Sequence, residues 1–123
     1  IRAALAVDEI IEAEAAKNGL IHVDGKKEFA LGPGRKVVLV DTFGTLDEDR
    51  WWDAEAYAEG ECVELSKEFV RQHYVDTGHQ AALQEARDTG SEDPPIPALP
   101  QSVIDETAAL YASMYERLTS GTF

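Results

Sequence analysis

Residues 24–50, DGKKEFALGPGRKVVLVDTFGTLDEDR, decide how this chain is read. KEFAL at 27–31 and KVVLV at 36–40 are short runs, apolar or alternating, and the GPGR between them carries the glycines and proline that a reversal of direction needs. Together they predict a β-hairpin. Strand side chains alternate faces with period two, so a turn centred on Pro33-Gly34 sets Leu31 opposite Lys36, Lys26 opposite Asp41 and Glu28 opposite Leu39. In that register Asp24, Lys26, Glu28 and Asp41 share one face, and Phe29, Leu31, Val38 and Val40 form an apolar face to bury. A slip of one residue undoes the arrangement.

On the N-terminal side, AALAVDEIIEAEAAK at 3–17 has the composition and spacing of an amphipathic helix, closed by Asn18-Gly19. LIHV at 20–23 reads as a strand, with His22 a half-buried strand residue rather than a ligand. On the C-terminal side, 42–65 reads as irregular, anchored by packing of Trp51 and Trp52; its acidity argues against base stacking. Ser66 is a candidate N-cap for a helix over 67–76, and a second helix follows over about 79–88. The prolines of TGSEDPPIPALP make an extended linker, and Ser102 with Asp105 resembles a capping box opening a last helix over 103–118, stopped by Gly121. The mixture of hairpin and flanking helices predicts an α+β fold. The organisation expected is a hairpin core at about 20–41, a substrate loop at 42–65 and C-terminal helices at 66–123.

At 123 residues and 44% hydrophobic, the chain has material for one modest core. It opens at Ile1 directly into a helical pattern, which suggests a fragment or a processed chain. With a single cysteine, Cys62, and no apolar run near the roughly 18 residues of a membrane span, the expectation is a soluble, cytoplasmic protein with no membrane partner. The 24 acidic residues against 11 basic ones give a net charge of −13, which argues against nucleic acid as a partner. A phosphorylated ligand therefore needs a local cluster of cations, or a metal.

Signatures for phosphate loops, dinucleotide folds, serine elbows and zinc sites are absent. What remains is a set of carboxylates, lysines and arginines, the inventory for holding Mg²⁺ and phosphate oxygens. Glu28 and Asp41, on one hairpin face, are candidates to bridge a single metal; the alternative is a solvent-facing polar edge. Asp41-Thr42-Phe43-Gly44 loosely matches the Asp-Phe-Gly of protein kinases, in which the aspartate holds Mg²⁺ after a strand.

The succession GLIHVDGKKEFALGPGRKVVLVDTFGTLDEDRWW at 19–52 resembles the core of the SAICAR synthetase family, and the likeness continues through SKEFVRQHY and DPPIPALPQSVIDETAALYASMYERLTSGTF. The resemblance implies a two-lobed, protein-kinase-like α+β architecture. It implies an ATP-dependent carbon–nitrogen ligase that joins L-aspartate to the carboxylate of CAIR (carboxyaminoimidazole ribonucleotide) in purine biosynthesis. Position by position, it makes Glu28 and Asp41 the Mg²⁺–ATP carboxylates, and Lys26 and Asp41 the catalytic pair. Asp24, Lys26, Asp47, Arg50 and Arg71 become substrate contacts. Several positions depart from the family pattern: Ala30 stands for Gly, Thr42 for Glu, Leu46 for Pro, and Glu48-Asp49 for Ser-Ser. The last pair adds negative charge beside a phosphate site. The resemblance also implies an N-terminal ATP-binding half outside these residues as a partner, so that this chain alone is an incomplete catalyst; association between copies is left open. A non-catalytic relic binding a nucleotide or a protein is the alternative.

Overall fold

Leu20–Gly25 (β1) and Asp49–Asp53 (β4) pair antiparallel, and this ladder, rather than the hairpin, is the frame of the chain. The computed structural model describes residues 1–123. The order is α1 (Arg2–Lys17), β1, β2 (Glu28–Leu31), a 3-10 turn at Pro33–Arg35, β3 (Val37–Val40), β4, α2 (Ala54–Ala58), α3 (Glu68–Asp76), α4 (His79–Thr89) and α5 (Gln101–Thr119). Two separate two-stranded sheets, β1–β4 and β2–β3, make the fold α+β, as expected from the sequence.

The core is small. Ala15 of α1, Leu20, Leu46, Trp51 and Met114 of α5 are buried together, with Ile11, Leu65, Leu110, Tyr111 and Leu118 packed around them. Leu20 and Trp51 lie on the inner face of the β1–β4 ladder, which explains why the Trp51-Trp52 segment is ordered: it is a strand, and not irregular as its composition suggested. Arg117 of α5 ties the frame together. Its guanidinium donates to the Asn18 and Gly19 carbonyls at the end of α1 and pairs with Asp53 Oδ2 at 3.1 Å. Asp53 Oδ1 in turn accepts from the Glu55 and Ala56 amides, capping α2.

The hairpin forms, but in a different register. Glu28 pairs with Val40, Phe29 with Leu39, Ala30 with Val38 and Leu31 with Val37. The turn consumes Gly32 through Lys36, with Gly34 and Arg35 both left-handed (φ 69° and 60°), so it is one residue longer than GPGR alone. That residue shifts the parity of β3 against β2. Glu28 and Ala30 now share a face with Val38 and Val40, while Phe29 and Leu31 share theirs with Val37 and Leu39. Neither face is buried by this chain: Leu31 is 60% exposed and Val37 56%. Asp24 belongs to the other sheet altogether, so the single four-residue face expected from the sequence does not exist. The capping box also fails. The last helix starts at Gln101 behind Pro100 with no side-chain cap, and ends at a left-handed Ser120.

Candidate functional site

One extra residue in β1 organises the polar side chains. His22 pairs with Trp51 and Asp24 with Arg50, so Val23 is a bulge with no partner of its own. Period two would put His22 and Asp24 on the same face; the bulge sends them to opposite ones. His22 goes inward beside Trp51, their rings 4.9 Å apart, and Asp24 goes outward opposite Arg50.

The outward side is a polar groove of about 340 Å³. Its cations are Lys26, Arg50, Lys67 and Arg71, and its carboxylates Asp24, Glu48 and Glu68. This gives a local excess of one positive charge in a chain whose net charge is −13. Arg50 forks onto Asp24, Nε donating to Oδ1 at 2.7 Å and Nη2 to Oδ2. That hydrogen bond holds the Asp24 carboxyl below its usual range, and Asp24 raises the arginine in return. Both side chains are about half exposed, 53% and 46%, so water competes for each and an incoming oxyanion can exchange with Asp24 at little net cost. Arg71 Nη1 sits 3.1 Å from Glu68, one turn away on α3. Lys67 Nζ donates to the Asp47 carbonyl, and Asp47 Oδ1 accepts from Tyr111 of α5 at 2.7 Å. Burial first, then the bond to Asp47, pushes the Tyr111 hydroxyl up to about 12.

Lys26 links the groove to the hairpin. Its ammonium lies 2.5 Å from Glu28, and Glu28, Asp41 and Glu48 together raise its pKa, Glu28 the most through its hydrogen bond. Asp41 ends β3 in a left-handed conformation (φ 71°) that takes it off the strand, so ladder parity does not dictate its direction. Its carboxylate accepts from the Thr42 amide at 2.9 Å.

Of the residues expected from the sequence, Asp24, Lys26, Arg50 and Arg71 line one groove. Asp47 reaches it through Lys67, and Glu28 and Asp41 flank it through Lys26. Lys67 and Glu68 join them unannounced, and Glu48 joins them as the added negative charge that the departure from Ser-Ser led one to expect. Lys67 stood in the SKEFVRQHY motif, where only Arg71 was singled out. A larger depression, about 570 Å³, lies against α3, α4 and the proline segment, but its Arg87 is already paired with Asp93 at 3.1 Å.

A profile described as SAICAR synthetase matches residues 1–87. The chain belongs to the SAICAR synthetase family. It is 53% identical over 115 residues to the phosphoribosylaminoimidazole-succinocarboxamide synthase of Thermoplasma acidophilum, covering 94% of this chain and 39% of that protein. Among solved structures it is similar to a SAICAR synthetase (Type-2) in complex with ADP, with a TM-score of 0.60 and 25% identity over 98% of this chain and 36% of the other. It shares the fold of the Saccharomyces cerevisiae SAICAR synthase complexed with SAICAR, with a TM-score of 0.72 at 24% identity over 98% of this chain and 37% of that one. The chain thus spans about two fifths of the length of the curated SAICAR synthetases it matches.

The family's Ser-Ser position, occupied here by Glu48-Asp49, splits in two. Glu48 faces the groove, whereas Asp49 points inward, its side chain wholly buried, with Lys27 Nζ at 3.1 Å and His22 Nε2 at 3.0 Å. Asp49 therefore adds no unbalanced charge to the groove, contrary to the sequence-level expectation. His22 is buried as a strand residue, yet it carries a polar contact 27 positions away that no local pattern announces.

Proposed function

We propose that this chain supplies the substrate groove and two metal-side carboxylates of an ATP-dependent ligase joining L-aspartate to CAIR to give SAICAR, ADP and phosphate. The observation that carries this reading is the locally positive groove of Lys26, Arg50, Lys67 and Arg71 on a strongly acidic chain. A general field of this sign repels a phosphorylated, carboxylated substrate; the groove is the place that attracts one. Membership of the SAICAR synthetase family supports the reaction, and the greater length of the matched relatives supports an ATP-binding half as a partner.

In this scheme Arg50 releases Asp24 and grips substrate oxyanions with its planar fork, with Arg71 and Lys67 beside it. The substrate carboxylate oxygen attacks the γ-phosphorus of ATP, the bond to the β-phosphate oxygen breaks, and ADP leaves. The aspartate amine then attacks the acyl carbon, loses a proton to water and expels phosphate. Lys26, between the groove and the two hairpin carboxylates, lowers the repulsion between the anions that must meet. Glu28 and Asp41 suit Mg²⁺ by chemistry: both offer hard oxygen donors at the hairpin's end, and Glu28 already holds a cation, the Lys26 ammonium, at 2.5 Å. When bound there, Mg²⁺ would neutralise phosphate charge.

The test is SAICAR formation by the full-length protein from CAIR, ATP and L-aspartate. Arg50→Ala is expected to lower kcat/KM for CAIR roughly 100-fold, the scale of losing one preorganised donor. Nucleotide binding without SAICAR formation would instead favour the non-catalytic relic, and an unaffected Arg50→Ala enzyme would remove the groove from the reaction.

A further inference from the structure

Behind the groove, on the inner face of the same strands, four segments meet at one carboxylate. Asp49 Oδ2 accepts from His22 Nε2 of β1 at 3.0 Å and from the Gly44 amide at 3.0 Å. Lys27 Nζ, in the link between the sheets, lies 3.2 and 3.1 Å from the two oxygens. The other nitrogen of the His22 ring lies 3.4 Å from Asp8 of α1. The side chains of Asp49, His22 and Lys27 are 0%, 1% and 6% exposed.

We propose that Asp49 is a positioning residue: held by Lys27 and His22, its carboxylate fixes the turn that carries Asp41 against the strand that carries Arg50. Stability alone is a poor reason for such a cluster, because a buried ion pair is commonly replaced by apolar side chains of similar volume without loss. Its placement supplies a better one. The turn 41–44 contains two left-handed residues, Asp41 (φ 71°), which holds this conformation with a local bond from the Thr42 amide, and Gly44 (φ 75°), so its path depends on what anchors it. The bond from Gly44 to Asp49 ties this turn to β4. Adjacent residues then divide the work, since Asp49 holds the turn from within while Arg50 faces the groove. Lys26 and Lys27 divide in the same way, outward and inward. The hub thereby sets the spacing between the Asp41 carboxylate and the groove, and its catalytic consequence rests on the function proposed above.

Two charge-balanced double variants of the full-length protein separate positioning from packing. Asp49→Asn/Lys27→Met keeps a carbonyl acceptor for the Gly44 amide; Asp49→Ala/Lys27→Met removes it. Gly44 amide exchange, followed by NMR without metal or substrate, is expected to stay within about threefold of wild type in the first, which keeps a neutral acceptor, and to quicken about tenfold in the second, the scale of one charge-assisted hydrogen bond. Half-saturating Mg²⁺ for SAICAR formation is expected to rise about tenfold in the second and to be rescued in the first. Equal Gly44 exchange in the two variants, or an unchanged Mg²⁺ requirement in the alanine variant of an active enzyme, overturns the proposal. If neither double variant folds, wild-type Gly44 decides: an amide exchanging at the free-peptide rate refutes the tie, and a protected one supports it. A wild-type protein that makes no SAICAR defeats the proposed function, while the exchange contrast still judges the positioning role.

Discussion

Gly25→Ala is the sharpest test of how the inner face is packed. Gly25 pairs with Asp49 across the β1–β4 ladder, and a β-carbon built there falls 1.9 Å from Asp49 Oδ1 and 2.5 Å from Lys27 Nζ. The carboxylate must retreat by about 1 Å to reach even a tight contact, which takes bonds now at 3.0 to 3.2 Å beyond hydrogen-bonding range. It has nowhere to go, because the side chain is wholly buried and already engages His22, Lys27 and Gly44. Nothing else opposes the substitution: Gly25 has no positive φ, and alanine is the better strand residue on entropy alone. The expected cost is that of breaking a buried pair, about 3 kcal/mol, or roughly 10 °C in Tm for a domain of this size.

Urea denaturation of the full-length protein measures this, with the same substitution repeated in the Asp49→Ala/Lys27→Met background as the second arm of a double-mutant cycle. With the carboxylate and ammonium gone, the three atoms nearest the β-carbon are removed and the cost should shrink below about 1 kcal/mol. A cost below about 1 kcal/mol in the wild-type background, or equal costs in both, would refute the claim that the Asp49 carboxylate is pressed against Gly25.

Two titrations test the outer face. Asp24 should show a carboxyl pKa below 3.8 by ¹³C NMR, returning toward 3.8 in Arg50→Gln; because the folded value is the lower one, the contribution of the pair is present above 3.8 and is lost as pH falls through the folded value. Tyr111 should ionise near 12 by ultraviolet difference against Tyr111→Phe. Its folded pKa is the raised one, so stability should decline as pH climbs from 10 toward 12, and that decline should be absent in the phenylalanine variant. A Tyr111 midpoint near 10 would mean that its bond to Asp47, and with it the link from α5 to the groove, does not form in solution.

The sequence was most legible where pattern is local. The helix over 3–17, the strand at 20–23 and the paired short helices after Ser66 follow from periodicity, and the structure places them within a residue or two, although the N-cap of the first short helix is Lys67 and not Ser66. The hairpin was legible as a hairpin but not in register, because parity depends on one turn residue, and Arg35 adopts a left-handed conformation that arginine rarely takes. β4 was hidden for a different reason. DRWWD alternates buried and exposed, but the glycines and charges around it read as loop, and only pairing with β1 makes it a strand. The groove residues Asp24, Lys26, Arg50 and Arg71 were reachable through family resemblance, while the Lys27–Asp49 contact was not, since it spans 22 positions.

The bulge at Val23 explains how one pair of strands serves both purposes. A regular β1 would carry His22 and Asp24 on the same face, and Asp24 would then join Asp49 indoors, two carboxylates with one lysine between them. The extra residue turns Asp24 out to Arg50 and leaves Gly25 opposite Asp49, the one position where the absence of a β-carbon makes room for a buried carboxylate. Charge is thereby sorted across the ladder: a closed group of His22, Lys27 and Asp49 inside, and an exchangeable Asp24–Arg50 pair outside, half exposed and free to trade partners. A ligand that displaces Asp24 from Arg50 need not disturb the inner group, so the groove can open and refill while the strand beneath it stays fixed.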